Sequence, residues 1–235
     1  MYIPEIDTNN FNFPDPRNAN EDGIVAWGGN LHPLRLIRAY QSGIFPWYSK
    51  GQPILWWSTD PRLIMDFQDF KISRSLKKSI RKFEYKFNTQ FTEVMNSCAT
   101  TPRNDQAGTW IGSDVIKAYT ALHNMGIANS IESYQDGKLV GGLYGLVIGK
   151  VFCGESMFSH VSDASKSAYA VLIEHLKKWN YDFIDCQVPT KHLKSLGAKE
   201  ITREQFLERL EISAKANTHH QWQIDPLILK EFMNN

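Results

Sequence analysis

The sequence predicts an α+β protein in two parts, and three observations predict it. Prolines, glycines and tryptophans crowd residues 1 to about 60. Strand-like runs follow one another from Ala128 to Phe158, with tight-turn signals between them. Helical stretches stand before and after that meander, so strands and helices are segregated along the chain.

In chain order, Phe13-Pro14-Asp15-Pro16 is extended, because proline forbids helix for the residue before it. Gly28-Gly29 is a turn. His32-Pro33 opens a short helix over Leu34 to Tyr40, which Gly43 ends. The aromatic and proline density from Gly43 to Ser58 predicts a rigid small module. Leu63 to Phe67 reads as a strand, and Ser73 caps a helix to about Lys82. A further helix covers Thr92 to Ala99, Thr100 to Gly108 is a loop, and Asp114 to Met125 is an amphipathic helix. The meander runs Ala128–Tyr134, Lys138–Ile148 and Val151–Phe158, with turns at Asp136-Gly137 and Gly149-Lys150. Asp163 is positioned to cap a helix over Ala164 to Trp179. Asp182 to Gln187 is another strand, Lys191 to Leu196 a short helix, and Gln205 to Leu210 begins a last one. This pattern fits an acetyltransferase-like fold, in which the ligand lies at the opened centre of the sheet.

Several function classes drop out. Hydrophobic residues at 42% and charged residues at 22% describe an ordinary globular chain, and no apolar run approaches the ~20 residues of a membrane span. The N-terminus lacks the basic and apolar regions of a signal peptide. Three cysteines, Cys98, Cys153 and Cys186, fit neither a disulfide framework nor a zinc site, and reduced thiols suit the cytoplasm. No HxH or HxxxH spacing, P-loop or GxGxxG loop occurs. His219-His220 reads as a polar tail pair.

Chemistry concentrates in two places. In Ile184-Asp185-Cys186-Gln187, alternation along a strand points Asp185 and Gln187 to one face and Cys186 to the other. On a cleft wall that carboxylate and amide would meet a substrate together; away from one they would bond nearby backbone. Glu155, within the otherwise apolar run Val151 to Phe158, must face solvent, pair, or hold a cation such as a substrate amine. A third feature is electrostatic. Lys71 to Lys86 holds seven basic residues and one acid, and Arg74, Lys77, Lys78, Arg81 and Lys82 recur at helical spacing. Such a face is either solvated or holds a phosphate backbone. Trp47, Trp56, Trp57 and Trp110 could stack unpaired bases or simply fill a core.

Several ordered blocks then resemble the bacterial leucyl/phenylalanyl-tRNA–protein transferase family: GIFPWYSKGQPILWWSTDPR (43–62), GTWI (108–111), LVGGLYG (139–145), FCGESMFSHVSDASK (152–166), IDCQ (184–187) and SLGAKEI (195–201). The resemblance implies a small N-terminal α/β domain, 1–62, and an acetyltransferase-like domain, 63–235, with a mixed, largely antiparallel sheet. It implies that leucine, phenylalanine or methionine passes from aminoacyl-tRNA to proteins with N-terminal Lys or Arg, marking them for N-end rule degradation. Asp185 and Gln187 match the catalytic pair, and Glu155 the acidic site residue within Gly154-Glu155-Ser156-Met157. Trp47, Trp110, Phe152 and Ile184 match positions around the aminoacyl adenosine, and Leu143, Leu172 and Leu176, with Ser156 and Met157, are candidates for the donor pocket. Arg74, Lys77, Lys78, Arg81 and Lys82 are the candidate tRNA contacts. His160 stands where relatives are expected to carry Arg. The family implies a cytoplasmic monomer.

An aminoacyl ester is already activated, so the implied chemistry needs no ATP, metal or cofactor. It requires an amine placed against a carbonyl and a stabilised oxyanion. An acyl-CoA acetyltransferase would share the fold, but HVSDASKSA stands where its [QR]xxGx[GA] pyrophosphate loop belongs. An RNA-binding module would account for the basic helix but not for the GESMF and IDCQ blocks.

Overall fold

In the computed structural model, which describes residues 2–102, 109–218 and 220–234, two sheets organise the chain. The smaller sheet begins with β1 (Glu5–Ile6) and β2 (Ile24–Gly28). Helix α1 (Pro33–Gln41) follows, with His32 Nδ1 accepting from Leu34 N and Pro33 in its first turn. Gly43, at φ +74°, ends it. Strands β3 (Phe45–Pro46) and β4 (Leu55–Trp57) complete the order β1-β2-β4-β3. The aromatic module is therefore a sheet with one helix, and Trp56 is fully buried in it.

The larger sheet starts at β5 (Arg62–Met65), buried along its whole length. The strand expected to reach Phe67 stops two residues earlier, because Phe67–Asp69 turns into a short 3-10 helix. Ser73 caps α2 (Arg74–Ile80), its Oγ accepting from Leu76 N at 3.1 Å. Next come β6 (Glu84–Phe87), α3 (Phe91–Thr100) and α4 (Ser113–Asn124). Of the expected Thr100–Gly108 loop, residues 103–108 lie outside the described residues. The meander is β7 (Ala128–Gln135), β8 (Lys138–Ile148) and β9 (Val151–Ser159). Then follow α5 (Ala164–Lys178), β10 (Phe183–Gln187), α6 (Lys191–Ser195), β11 (Lys199–Ile201), α7 (Arg203–Ser213) and α8 (Pro226–Asn234). Asp163 does not cap α5. It sits at φ +65° with its carboxylate turned to Ser79 Oγ, 2.9 Å away, and to Lys166.

The seven strands run β11-β5-β10-β9-β8-β7-β6, all antiparallel except β9 and β10. That parallel pair is joined through α5, as a crossover requires. One core, containing Tyr40, Trp56, Tyr119 and Phe206, spans both sheets. A second lies between the large sheet and α2 and α5, where Leu172 and Leu176 are buried. Among the described residues no helix is long and apolar enough to cross a membrane.

Candidate active site

The β9–β10 pairing lasts only from Phe183↔Val151 to Asp185↔Cys153. Beyond it both strands are bulged. On β9 the register with β8 jumps from Gly145↔Gly154 to Tyr144↔Ser156, so Glu155 is the extra residue. On β10 the register with β5 jumps between Asp185 and Gln187, so Cys186 is the extra residue. Gly145 permits the first bulge: a Cβ there would stand 2.3 Å from the Cys153 carbonyl oxygen and 2.6 Å from the Phe152 ring. The sheet opens at this point over a cavity of about 180 Å³.

Glu155 and Gln187 face each other across the opening, with Gln187 Nε2 donating to Glu155 Oε1 at 3.0 Å. Tyr119 Oη donates to Glu155 Oε2 at 3.3 Å and lies 2.6 Å from Tyr40 Oη. A buried chain of hydroxyls therefore reaches from α1, in the small sheet's module, to the opened part of the large sheet. Burial raises the Glu155 carboxyl to about 8, and the nearby Asp185 charge pushes in the same direction.

The expectation that Asp185 and Gln187 share a face is not met. The bulge breaks the alternation, and Gln187 sits at φ +55°. Asp185 is 1% exposed and does not line the cavity. Its Oδ1 accepts from Arg62 Nε at 2.8 Å and from Gln187 N at 3.0 Å, and its Oδ2 from Arg62 Nη2 at 2.7 Å. Cys186, expected on the opposite face, instead joins the cavity wall, with its Sγ 3.9 Å from Tyr169 Oη. Burial pushes its thiol up to about 12, so it is not a thiolate nucleophile at neutral pH.

The rest of the wall divides cleanly. Of the candidate substrate-binding residues, Trp47, Trp110, Leu143, Ser156, Met157 and Ile184 line the cavity. Phe152, Leu172 and Leu176 do not: each is about 1% exposed or less and packed into the second core. The helical and strand periodicities place them on inward faces, but those faces meet the core rather than the cavity. Residues that sequence reasoning missed include Phe45, Tyr169, Val188 and Leu193, which line the cavity. Phe45 stood inside the quoted GIFPW block and could have been named; Tyr169 carried no local signal.

The basic residues are only partly a helix face. Arg74, Lys77 and Lys78 lie on α2, whereas Arg81 and Lys82 follow its end at Ile80. None of the five makes an ion pair among the described residues, and Arg81 Nη2 donates to the Met233 carbonyl. His160 Nε2 is 3.3 Å from Thr101 Oγ1. His219 lies outside the described residues, while His220, expected as a polar tail residue, stacks on Trp179 at 5.5 Å. Among the described residues no group of three or more His, Cys, Asp or Glu is placed to hold a metal ion.

An apolar cavity whose wall includes Trp47, Trp110 and a carboxyl–carboxamide pair thus lies where the mixed sheet opens, and similarity to known proteins gives its class, a transferase. Family models described as leucyl/phenylalanyl-tRNA protein transferase and its N-terminal domain match residues 64–211 and 29–60, and the chain belongs to this family. Proteins called leucyl/phenylalanyl-tRNA–protein transferase are similar over 80% or more of it. The one from Sulfurimonas denitrificans is 61% identical over 94% of this chain and 97% of its own. That from Hahella chejuensis is 49% identical over 95% and 97%, and that from Nitrosospira multiformis 56% over 80% and 82%.

Proposed function

We propose that the chain moves leucine, phenylalanine or methionine from aminoacyl-tRNA to proteins with N-terminal Lys or Arg, marking them for N-end rule degradation. The observation that carries this reading is the Glu155–Gln187 pair in the wall of the cavity. The donor's apolar side chain enters between Leu143, Met157 and Ile184, with the Tyr169 ring as a further wall. A pocket that selects by shape separates side chains differing by a methylene by only ~1–3 kcal/mol, which suits several apolar donors. Trp47 and Trp110 give the terminal adenosine aromatic faces, and Ser156 is a further part of the wall.

Glu155 supplies the negative charge for a basic acceptor residue. Gln187 hydrogen-bonds the reacting centre: its amide donates to the developing oxyanion, or its oxygen accepts from the attacking amine. A free N-terminal amine has a pKa of ~7.7–8, so a usable fraction is neutral without a strong base. Asp185 acts on Gln187 from behind rather than on the substrate. Arg74, Lys77, Lys78, Arg81 and Lys82 offer a phosphate-binding surface for tRNA. The reading carries with it a cytoplasmic monomer, a domain division near residue 62, and an acetyltransferase-like second domain, which the opened mixed sheet supports.

The test is transfer of labelled leucine from leucyl-tRNA to a peptide beginning with Arg, beside one beginning with Ala. Label on the Arg peptide alone is expected. Intact leucyl-tRNA and no label on either peptide, with folded protein, would refute the reading.

A further inference from the structure

We propose that Arg62 is a positioning residue for the transfer, holding Gln187 in its reactive place through Asp185; this rests on the transfer reading above. Arg62 is 1% exposed and does not line the cavity, so it acts only through other residues. Its planar guanidinium divides its donors between the two sides of the site. Nε and Nη2 take both oxygens of Asp185, while Nη1 donates to the Gly43 carbonyl at 3.2 Å. Gly43 lies two residues before Phe45, which with Pro46 and Trp47 lines the cavity. The guanidinium lies over the Phe206 and Phe45 rings, with its carbon 4.2 and 4.8 Å from their centroids.

What this arrangement fixes is the backbone of Gln187. That residue is held at φ +55°, a conformation that side-chain-bearing residues rarely adopt. Its N–H goes to Asp185 Oδ1, its carbonyl accepts from Thr59 Oγ1 at 3.2 Å, and its side chain reaches Glu155. One of the three comes from Thr59, three residues before Arg62, and another from Asp185, which Arg62 holds. Asp185 can keep an oxygen aimed at Gln187 N only while its carboxylate plane is fixed, and a two-point partner fixes it. A buried ion pair adds little net stability over an apolar pair of similar volume. The feature that distinguishes this pair is its place directly behind the bulge. Lysine would keep the charge and lose the fork.

The experiment is steady-state transfer by Arg62→Lys, with kcat and the KM for leucyl-tRNA measured separately alongside Tm. Arg35→Lys serves as control: Arg35 is fully buried in the small module, bonded to Asn30 and the Asp7 carbonyl, and absent from the cavity. Misplacing a reacting group is expected to lower kcat of Arg62→Lys about tenfold or more, with KM changed less than about threefold. Arg35→Lys should lower Tm and leave kcat alone. Asp185→Asn should give the same split as Arg62→Lys, and the double variant should be little worse than the poorer single, because the two act as one unit. A folded Arg62→Lys protein with wild-type kcat would overturn the proposal, as would additive losses in the double variant. Should Arg62→Lys fail to fold, Asp185→Asn decides alone, and wild-type kcat there overturns it. A wild-type chain that transfers nothing defeats the underlying reading, whereas an active wild type with an equally active Arg62→Lys defeats only the role of Arg62.

Discussion

Glu155 is a carboxyl that burial raises to about 8 while Gln187 and Tyr119 both donate to it. Its ionised form is the one that can pair with an acceptor cation. Transfer to an Arg-initiated peptide is therefore expected to rise with pH up to about 8, approaching tenfold per unit on the acid side. The acceptor amine titrates in the same range, so the readout is the difference between wild type and Glu155→Gln, whose profile should keep only the amine's contribution. Identical profiles would remove Glu155 from acceptor binding. The same shift has a cost in stability. Because the folded value lies above the ordinary 4.5, the carboxyl's stabilising contribution is complete below about 4.5 and lost as pH rises through about 8. Glu155→Gln does not ionise, so its Tm should gain on wild type across that window. Residue identities here were legible: Glu155 interrupts an apolar run, and Gln187 ends a strand. That Asp185 turns away was not, because a one-residue bulge is a property of how β10 meets β5.

At the scale of elements, helix starts announced themselves through Ser73 and His32-Pro33, and the meander through Asp136-Gly137 and Gly149. Strand β6 did not. Glu84-Tyr85-Lys86-Phe87 alternates exposed charge with buried aromatic, but it finds its partner β7 more than forty residues on. Strand β11 owes its existence to β5 in the same way. Helix α3 shows a further long-range dependence. Gln90 at its start makes no capping bond with its side chain. The fully buried Glu132 of β7 caps it instead, accepting from Thr89 N at 3.1 Å, Gln90 N at 3.2 Å and Ser130 Oγ at 2.7 Å, and from the Thr89 hydroxyl. Removing this acceptor breaks charge-assisted hydrogen bonds at a helix terminus and leaves the buried Ser130 hydroxyl without its acceptor, so Glu132→Ala should cost ~2 kcal/mol in denaturant unfolding. Glu132→Gln, which keeps one oxygen, should cost less. A loss below about 0.5 kcal/mol in Glu132→Ala would contradict the cap.

Over the whole molecule, the last stretch of chain acts as a strap beyond residue 211, where the family match ends. Trp222 packs among Phe87, Trp179, Phe152 and Tyr181, with ring centroids 5.1 to 6.5 Å away. His175 Nε2 accepts from Asp225 N at 3.0 Å, and its Nδ1 lies 2.8 Å from the Val171 carbonyl, which defines a neutral imidazole. Burial lowers the His175 pKa, with the Asp225 and Glu174 charges opposing it. A depressed value means that this latch contributes fully above the ordinary 6.5 and is lost as pH falls through the folded value. Exchange of the Asp225 amide, corrected for intrinsic rate, should therefore accelerate as pH is lowered below 6.5, before the meander amides respond. An Asp225 amide that loses protection only together with the meander amides would rule the latch out.

The strand order has one more outcome, and it concerns time. The meander pairs neighbours within a few residues, whereas β5 lies between β10 and β11, which are made more than a hundred residues later. On the ribosome the aromatic wall at Phe45 to Trp47 emerges early and waits, with Arg62 lacking its carboxylate partner, until Asp185 arrives. A chain halted before Phe183 therefore holds much of the fold's local structure, with Glu155 but without Gln187 and Asp185, so the nascent protein has no assembled site until its synthesis is nearly complete.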